Sequence, residues 1–211
     1  MFAWAVCAIT PMSQLPRLLP GLLSLVLCLG VMPAGFAATE PTKHPPEVRG
    51  TKVNGAYDGP VEIWLPTGVK QAAGKFNQGQ PDGVWTFWDS GGTRIAELTY
   101  RDGTFAGSVI SWHGTAAGPR DRGKLRLRGS FMDGMWHGSL LTYYPDGRMR
   151  SERVYNEDNL TGAFANNPQG RPLDSDAALK IAAEDENQDN AFVDTLDNFL
   201  RRWAVNPPAV P

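Results

Sequence analysis

Beyond its first 38 residues this chain has no cysteine, since Cys7 and Cys28 both precede that point. That excludes a disulfide framework, a cysteine nucleophile and a thiolate-bound metal from the remainder. A phosphate-binding loop is also absent, because the glycines fall at turn positions and not ahead of a helix. No HExxH, GxSxG or EF-hand pattern occurs. His113 and His137 stand out of register in the repeat described below, and a structural zinc site wants about four ligands. No nucleophile–base or acid–base constellation stands out. These absences point to a non-enzymatic chain with no cofactor and no metal.

Long apolar runs and early charges are scarce too. Arg17 is the only charged residue before Ala38. It precedes an apolar run, Leu22 to Val31, and then small residues at Gly35 and Ala37. That order of charge, apolar run and small residues reads as a secretory signal peptide over residues 1–38. The run is short for a membrane span, and an uncleaved N-terminal anchor is the alternative. Met12 is a second candidate start. Leu27, directly ahead of Cys28, is too bulky for a lipoprotein site. The expected location is exported, periplasmic or secreted. Without Arg17, 19 basic side chains face 22 acidic ones, a net of −3, so no nucleic-acid footprint appears.

What the chain does have is a repeat. Glycines at Gly59, Gly83, Gly107, Gly138 and Gly162 are separated by 24, 24, 31 and 24 residues. A large aromatic stands five positions after four of them: Trp64, Trp88, Trp112 and Tyr143. Phe76, Tyr100 and Tyr155 stand seventeen after three of them, and Phe131 takes that place after the long step, displaced by 7. Short apolar segments alternate with turn signals such as Pro66-Thr67-Gly68 and Pro145-Asp146-Gly147. Each repeat therefore reads as a β-hairpin, and a fixed period of this size means stacked units. The anchor glycines are read as points where two strands approach closely. The fold expected is mainly β: an elongated single antiparallel meander sheet of repeated β-hairpins, with one or two C-terminal α-helices. Residues 39–54, with Pro41, Pro45 and Pro46, read as a linker, 55–170 as the repeat domain and 171–211 as an acidic helical segment.

The pattern resembles the MORN repeat in its bacterial variant, whose length matches the 24-residue step. Gly83-Val84-Trp85, Trp88, Gly92, Tyr100 and Gly103 carry the match, as do Gly138, Tyr143-Tyr144, Gly147 and Tyr155. The resemblance implies scaffolding, membrane-associated or partner-binding roles, with antitoxin-like members among the bacterial ones. The chain departs from it in a lengthened third repeat and a fifth that breaks off after one strand.

The lengthening, Thr115 to Arg128, holds Arg120 and Arg122 and ends in Lys124-Leu125-Arg126-Leu127-Arg128. On a regular strand that places three cations on one face and two leucines on the other. It reads either as a solvated face or, with Trp112, as a candidate binding patch for anionic lipid, a cell-wall polymer or an acidic partner. After Pro172 eight acids face three bases, a net of −5. Asp174 and Asp176 open one short helix, Glu184 to Asn190 reads as a polar break, and Phe192, Val193, Leu196, Phe199, Leu200 and Trp203 form the apolar stripe of a second. That stripe either caps the sheet or binds a partner. Trp85 and Trp88 fall on opposite faces of a strand; one set is core, and the other is either covered or an exposed aromatic row. The functional expectation is an exported protein-interaction or scaffold module at the cell envelope. The alternatives are anionic lipid or polymer binding and an immunity-like role. Exposed strand edges make a homodimer feasible.

Overall fold

Tight turns set the sheet. At Asn54-Gly55, Gln78-Gly79, Asp102-Gly103 and Asp133-Gly134 both central residues take positive φ, which is type I′ geometry and matches the twist of flanking strands. The computed structural model describes residues 46–205. The leader, its cysteines and Pro207-Pro208 lie outside the described residues.

Eleven strands follow in order: β1 (Glu47–Val53), β2 (Ala56–Trp64), β3 (Lys70–Asn77), β4 (Gln80–Trp88), β5 (Arg94–Arg101), β6 (Thr104–Trp112), β7 (Leu125–Met132), β8 (Met135–Trp136), β9 (Gly138–Tyr143), β10 (Met149–Asn156) and β11 (Asn159–Ala165). They form one open antiparallel sheet in chain order, with the short β8 pairing β7 beside β9. Strand β1 occupies residues that composition had placed in the linker. It pairs along β2, so the sheet starts at Glu47 and not after residue 54.

The anchor glycines act differently from expectation. Gly59 and Gly83 have φ of 92° and 73°, and a Cβ at either would meet nothing within 4 Å. They lie where the pairing register shifts, between Gly50 and Lys52 and between Ala73 and Lys75, so they supply the backbone turn of a bulge. Close approach belongs to other glycines: a Cβ on Gly74 would sit 2.3 Å from the Trp85 ring.

Of the one or two C-terminal helices expected the structure has one, α1 (Ser175–Leu200), and a π-helical turn Arg201–Val205 follows it. Asp174 caps its start, accepting the Ala177 N–H at 2.9 Å. Its buried stripe is Ala178, Ala182, Asp185, Asp189, Val193, Leu196 and Leu200, at steps of three and four. The segment read as a polar break is thus continuous helix, because two of its acids lie on the inward face. The helix crosses the strands. Tyr100 of β5 donates to Asp197, Trp136 of β8 to Asn190, and Ser151 of β10 to Asp185. Phe76, Trp85, Phe87, Leu98, Tyr100 and Leu140 join Val193, Leu196 and Leu200 in one core.

Candidate functional site

The face of the sheet under α1 changes character along its length. In the early repeats the paired inward residues are Ile63 with Ala72 and Phe87 with Ala96. In the later ones they become Ser111 with Leu127 and Thr142 with Ser151. The helix changes in step, with Val193, Leu196 and Leu200 along one part of its stripe and Asp185 and Asp189 along the other. Ser151 and Thr142 donate to Asp185 at 2.6 and 2.8 Å, and Arg150 Nε adds a bond of 2.7 Å. Arg126 Nη1 reaches Asp189 at 3.1 Å, its Nε reaches Ser111 at 3.0 Å, and Arg153 of β10 pairs with the other Asp189 oxygen. Burial pushes the Asp189 carboxyl above its ordinary range, against the opposing pull of Arg126 and Arg153. This arrangement fastens helix to sheet.

A repeated bulge puts the arginines there. Trp64 pairs with Lys70 while Ile63 pairs with Ala72, which leaves Gln71 unpaired on its strand. The same shift leaves out Ile95, Arg126 and Arg150. A bulge residue breaks the two-residue alternation of a strand. Arg126 therefore turns onto the helix side, and Lys124-Leu125-Arg126-Leu127-Arg128 does not present three cations on one face. Lys124 pairs with Asp121 at 2.8 Å, ahead of the strand. Arg120, Arg122 and Arg128 are exposed. The five basic residues thus divide between a buried clasp, a local ion pair and solvent.

The rest of the lengthened hairpin is held locally. A 3-10 turn, Thr115–Ala117, follows β6. Asp89, in the turn after β4, accepts from the Thr115 N–H at 2.6 Å and from the N–H groups of Thr93 and Gly91 at 2.9 and 3.0 Å.

Opposite α1 the sheet carries a different row. Trp64, Lys70, Trp88, Arg94 and Trp112 come one from each of β2 to β6, at the strand ends that the bulges adjoin. The Lys70 ammonium lies 4.9 Å from the Trp64 ring centroid and 5.6 Å from that of Trp88, and the Arg94 guanidinium lies 3.9 Å from Trp112. Lys70 bonds Glu62 at 2.5 Å and Arg94 bonds Glu97 at 2.9 Å, so the row is locally neutral. Trp64, Trp88, Trp112 and Tyr143 are half-exposed, whereas Phe76, Tyr100, Phe131 and Tyr155 are buried on the helix side. The two aromatic sets read from the repeat thus occupy opposite faces.

Sequence reasoning found Trp112 but missed Arg150, Arg153, Asp185 and Asp189. Their signal was present: Gln71, Ile95, Arg126 and Arg150 each stand five residues before Phe76, Tyr100, Phe131 and Tyr155.

No family model matches the chain, and no curated protein matches it.

Proposed function

We propose that this chain is an exported, non-enzymatic interaction module of the cell envelope, and that its working surface is the sheet face opposite α1. One observation carries the reading. The helix occupies one face, while the other keeps the row Trp64, Lys70, Trp88, Arg94 and Trp112 within reach of solvent. With strands about 4.8 Å apart, five neighbours span roughly 19 Å, enough for the centre of a protein contact. Tryptophan and arginine are the residues most enriched at such centres. Cations packed over the rings hold both in place before a partner arrives, which lowers the ordering cost of binding. The leader supports export, and the resemblance to MORN repeats supports a scaffold or partner-binding role.

The partner is a folded protein and not an anionic polymer. Arg126 and Lys124 are engaged within the chain, and the tryptophan row is charge-balanced. The experiment is affinity capture from an envelope fraction. Wild type, Trp88→Ser/Trp112→Ser and Arg120→Glu/Arg122→Glu proteins are compared, each first checked for a native melting transition. The tryptophan variant should lose the captured protein and the arginine variant should keep it. Loss in the arginine variant alone would favour the polyanion reading.

A further inference from the structure

A cavity of about 410 Å3 opens between one flank of α1 and the turn ends of β6, β7 and β8. Its sheet side is apolar and aromatic. Phe105, Phe131 and Trp136 form a stacked run with centroid spacings of 4.9 and 3.9 Å. Val193 of the helix continues the apolar lining. Three carboxylates stand around it: Asp158 from the turn after β10, and Glu186 and Asp194 from α1. Glu186 and Asp194 are eight residues apart, so they share one flank of the helix. Asp158 is fixed in place, accepting the Trp136 backbone N–H at 2.6 Å. The ion pairs of α1 use Glu184, Asp185, Asp189 and Asp197. Asp158, Glu186 and Asp194 form none among the described residues.

A cavity of this volume, with one aromatic wall and carboxylates on its other side, has the size of a small-ligand site. Three like charges beside a low-dielectric wall raise the local concentration of a cation. We propose that this cavity binds an organic cation, an ammonium or guanidinium on an apolar stem. The stem lies against Phe105, Phe131 and Trp136, and the charged head sits in the negative field of the carboxylates around the opening, Asp158, Glu186 and Asp194. Such a group belongs either to a free amine or to a lysine or arginine side chain of a partner. The inference does not depend on the open sheet face, so each can fail alone.

The test uses the protein as residues 39–211, with hexylammonium as probe and hexan-1-ol as its uncharged counterpart. Binding is followed by calorimetry and by the indole N–H resonance of Trp136, which bonds Asn190 at the cavity wall at 2.7 Å. Hexylammonium should shift that resonance, and hexan-1-ol should bind far more weakly. Glu186→Gln/Asp194→Asn should weaken binding by about tenfold, as for one half-exposed and one exposed charge pair, without altering the melting transition. Added salt should weaken it as well. A lysine-containing peptide and its acetylated form make the second arm. Tighter binding of the unmodified peptide than of hexylammonium assigns the site to a protein side chain, and the reverse order assigns it to a free amine. Equal binding of hexylammonium and hexan-1-ol, an unmoved Trp136 resonance, or undiminished affinity in the double variant would each overturn the proposal.

Discussion

Arg153 on β10 and Asp189 on α1 face one another in a seam that solvent does not reach, at 0% and 2% exposure. Arg153 occupies the position that Gly74, Leu98 and Gly129 hold in the preceding repeats, at the same spacing of 24, 31 and 24 residues. A core place has therefore become one end of a clasp. Removing one partner should cost more than removing both. Asp189→Leu leaves the Arg153 charge uncompensated and should lower the unfolding free energy by about 3–5 kcal/mol. Arg153→Met/Asp189→Leu should recover most of that, because Arg126 keeps Ser111 and partial access to water. Urea denaturation of wild type, Arg153→Met, Asp189→Leu and the double variant gives the coupling, and additive losses would speak against a pair.

At the apolar end the helix is held by packing instead. Leu200 is 0% exposed and belongs to the core, whereas Leu179 is 53% exposed. Leu200→Ala should cost about 2–5 kcal/mol. Leu179→Ala should stay within about 0.5 kcal/mol. Denaturation midpoints separate the two, and equal losses would mean that the inward face of α1 has been misplaced.

Gly74 and Gly162 make a second contrast. A Cβ at Gly74 would enter the ring of Trp85, which is rigid and buried. Gly74→Ala should cost about 1–3 kcal/mol or more through overpacking. At Gly162 the nearest atom lies at 3.8 Å and the backbone needs no positive φ, so Gly162→Ala should leave the thermal midpoint nearly unchanged.

Asp89 supplies a pH dependence. Burial works to raise its pKa, but hydrogen bonds from Thr115, Thr93 and Gly91 outweigh it and hold the carboxyl below the ordinary aspartate range. A lowered folded-state pKa means stability that is present above about pH 4 and lost as pH falls through the lowered value. The protection of the Thr115 amide against exchange, taken relative to an unprotected amide at the same pH, should therefore fall on acidification below about pH 4. Asp89→Asn should show fast exchange already at neutral pH. A Thr115 amide protected equally across that range would contradict a stabilising Thr115–Asp89 hydrogen bond.

The repeat made the sheet legible because its two signals are local. Turn residues such as Asp102-Gly103 specify type I′ geometry wherever they occur. The aromatic spacing marks which strand positions face the same way. The bulges were harder to see. Counting by two through Lys124–Arg128 assumes an unbroken strand, and one extra residue opposite Trp112 reverses the result for Arg126. The polar break at Glu184 to Asn190 was misread for a related reason. Asp185 and Asp189 continue the stripe of Ala182 and Val193, but carboxylates at inward positions look like a break until their arginine partners are located. Composition likewise concealed β1, whose residues are mostly exposed and are ordered by pairing with β2.

The central claim is that partners meet the face opposite α1. Site-specific photo-crosslinking tests it most directly, with the photoreactive residue at Thr86, which pairs with Ala73 and Glu97 in the middle of that face, or at Thr195, exposed on the helix. Expected is a covalent product with an envelope protein from position 86 and none from position 195. A product from position 195 alone would contradict the account.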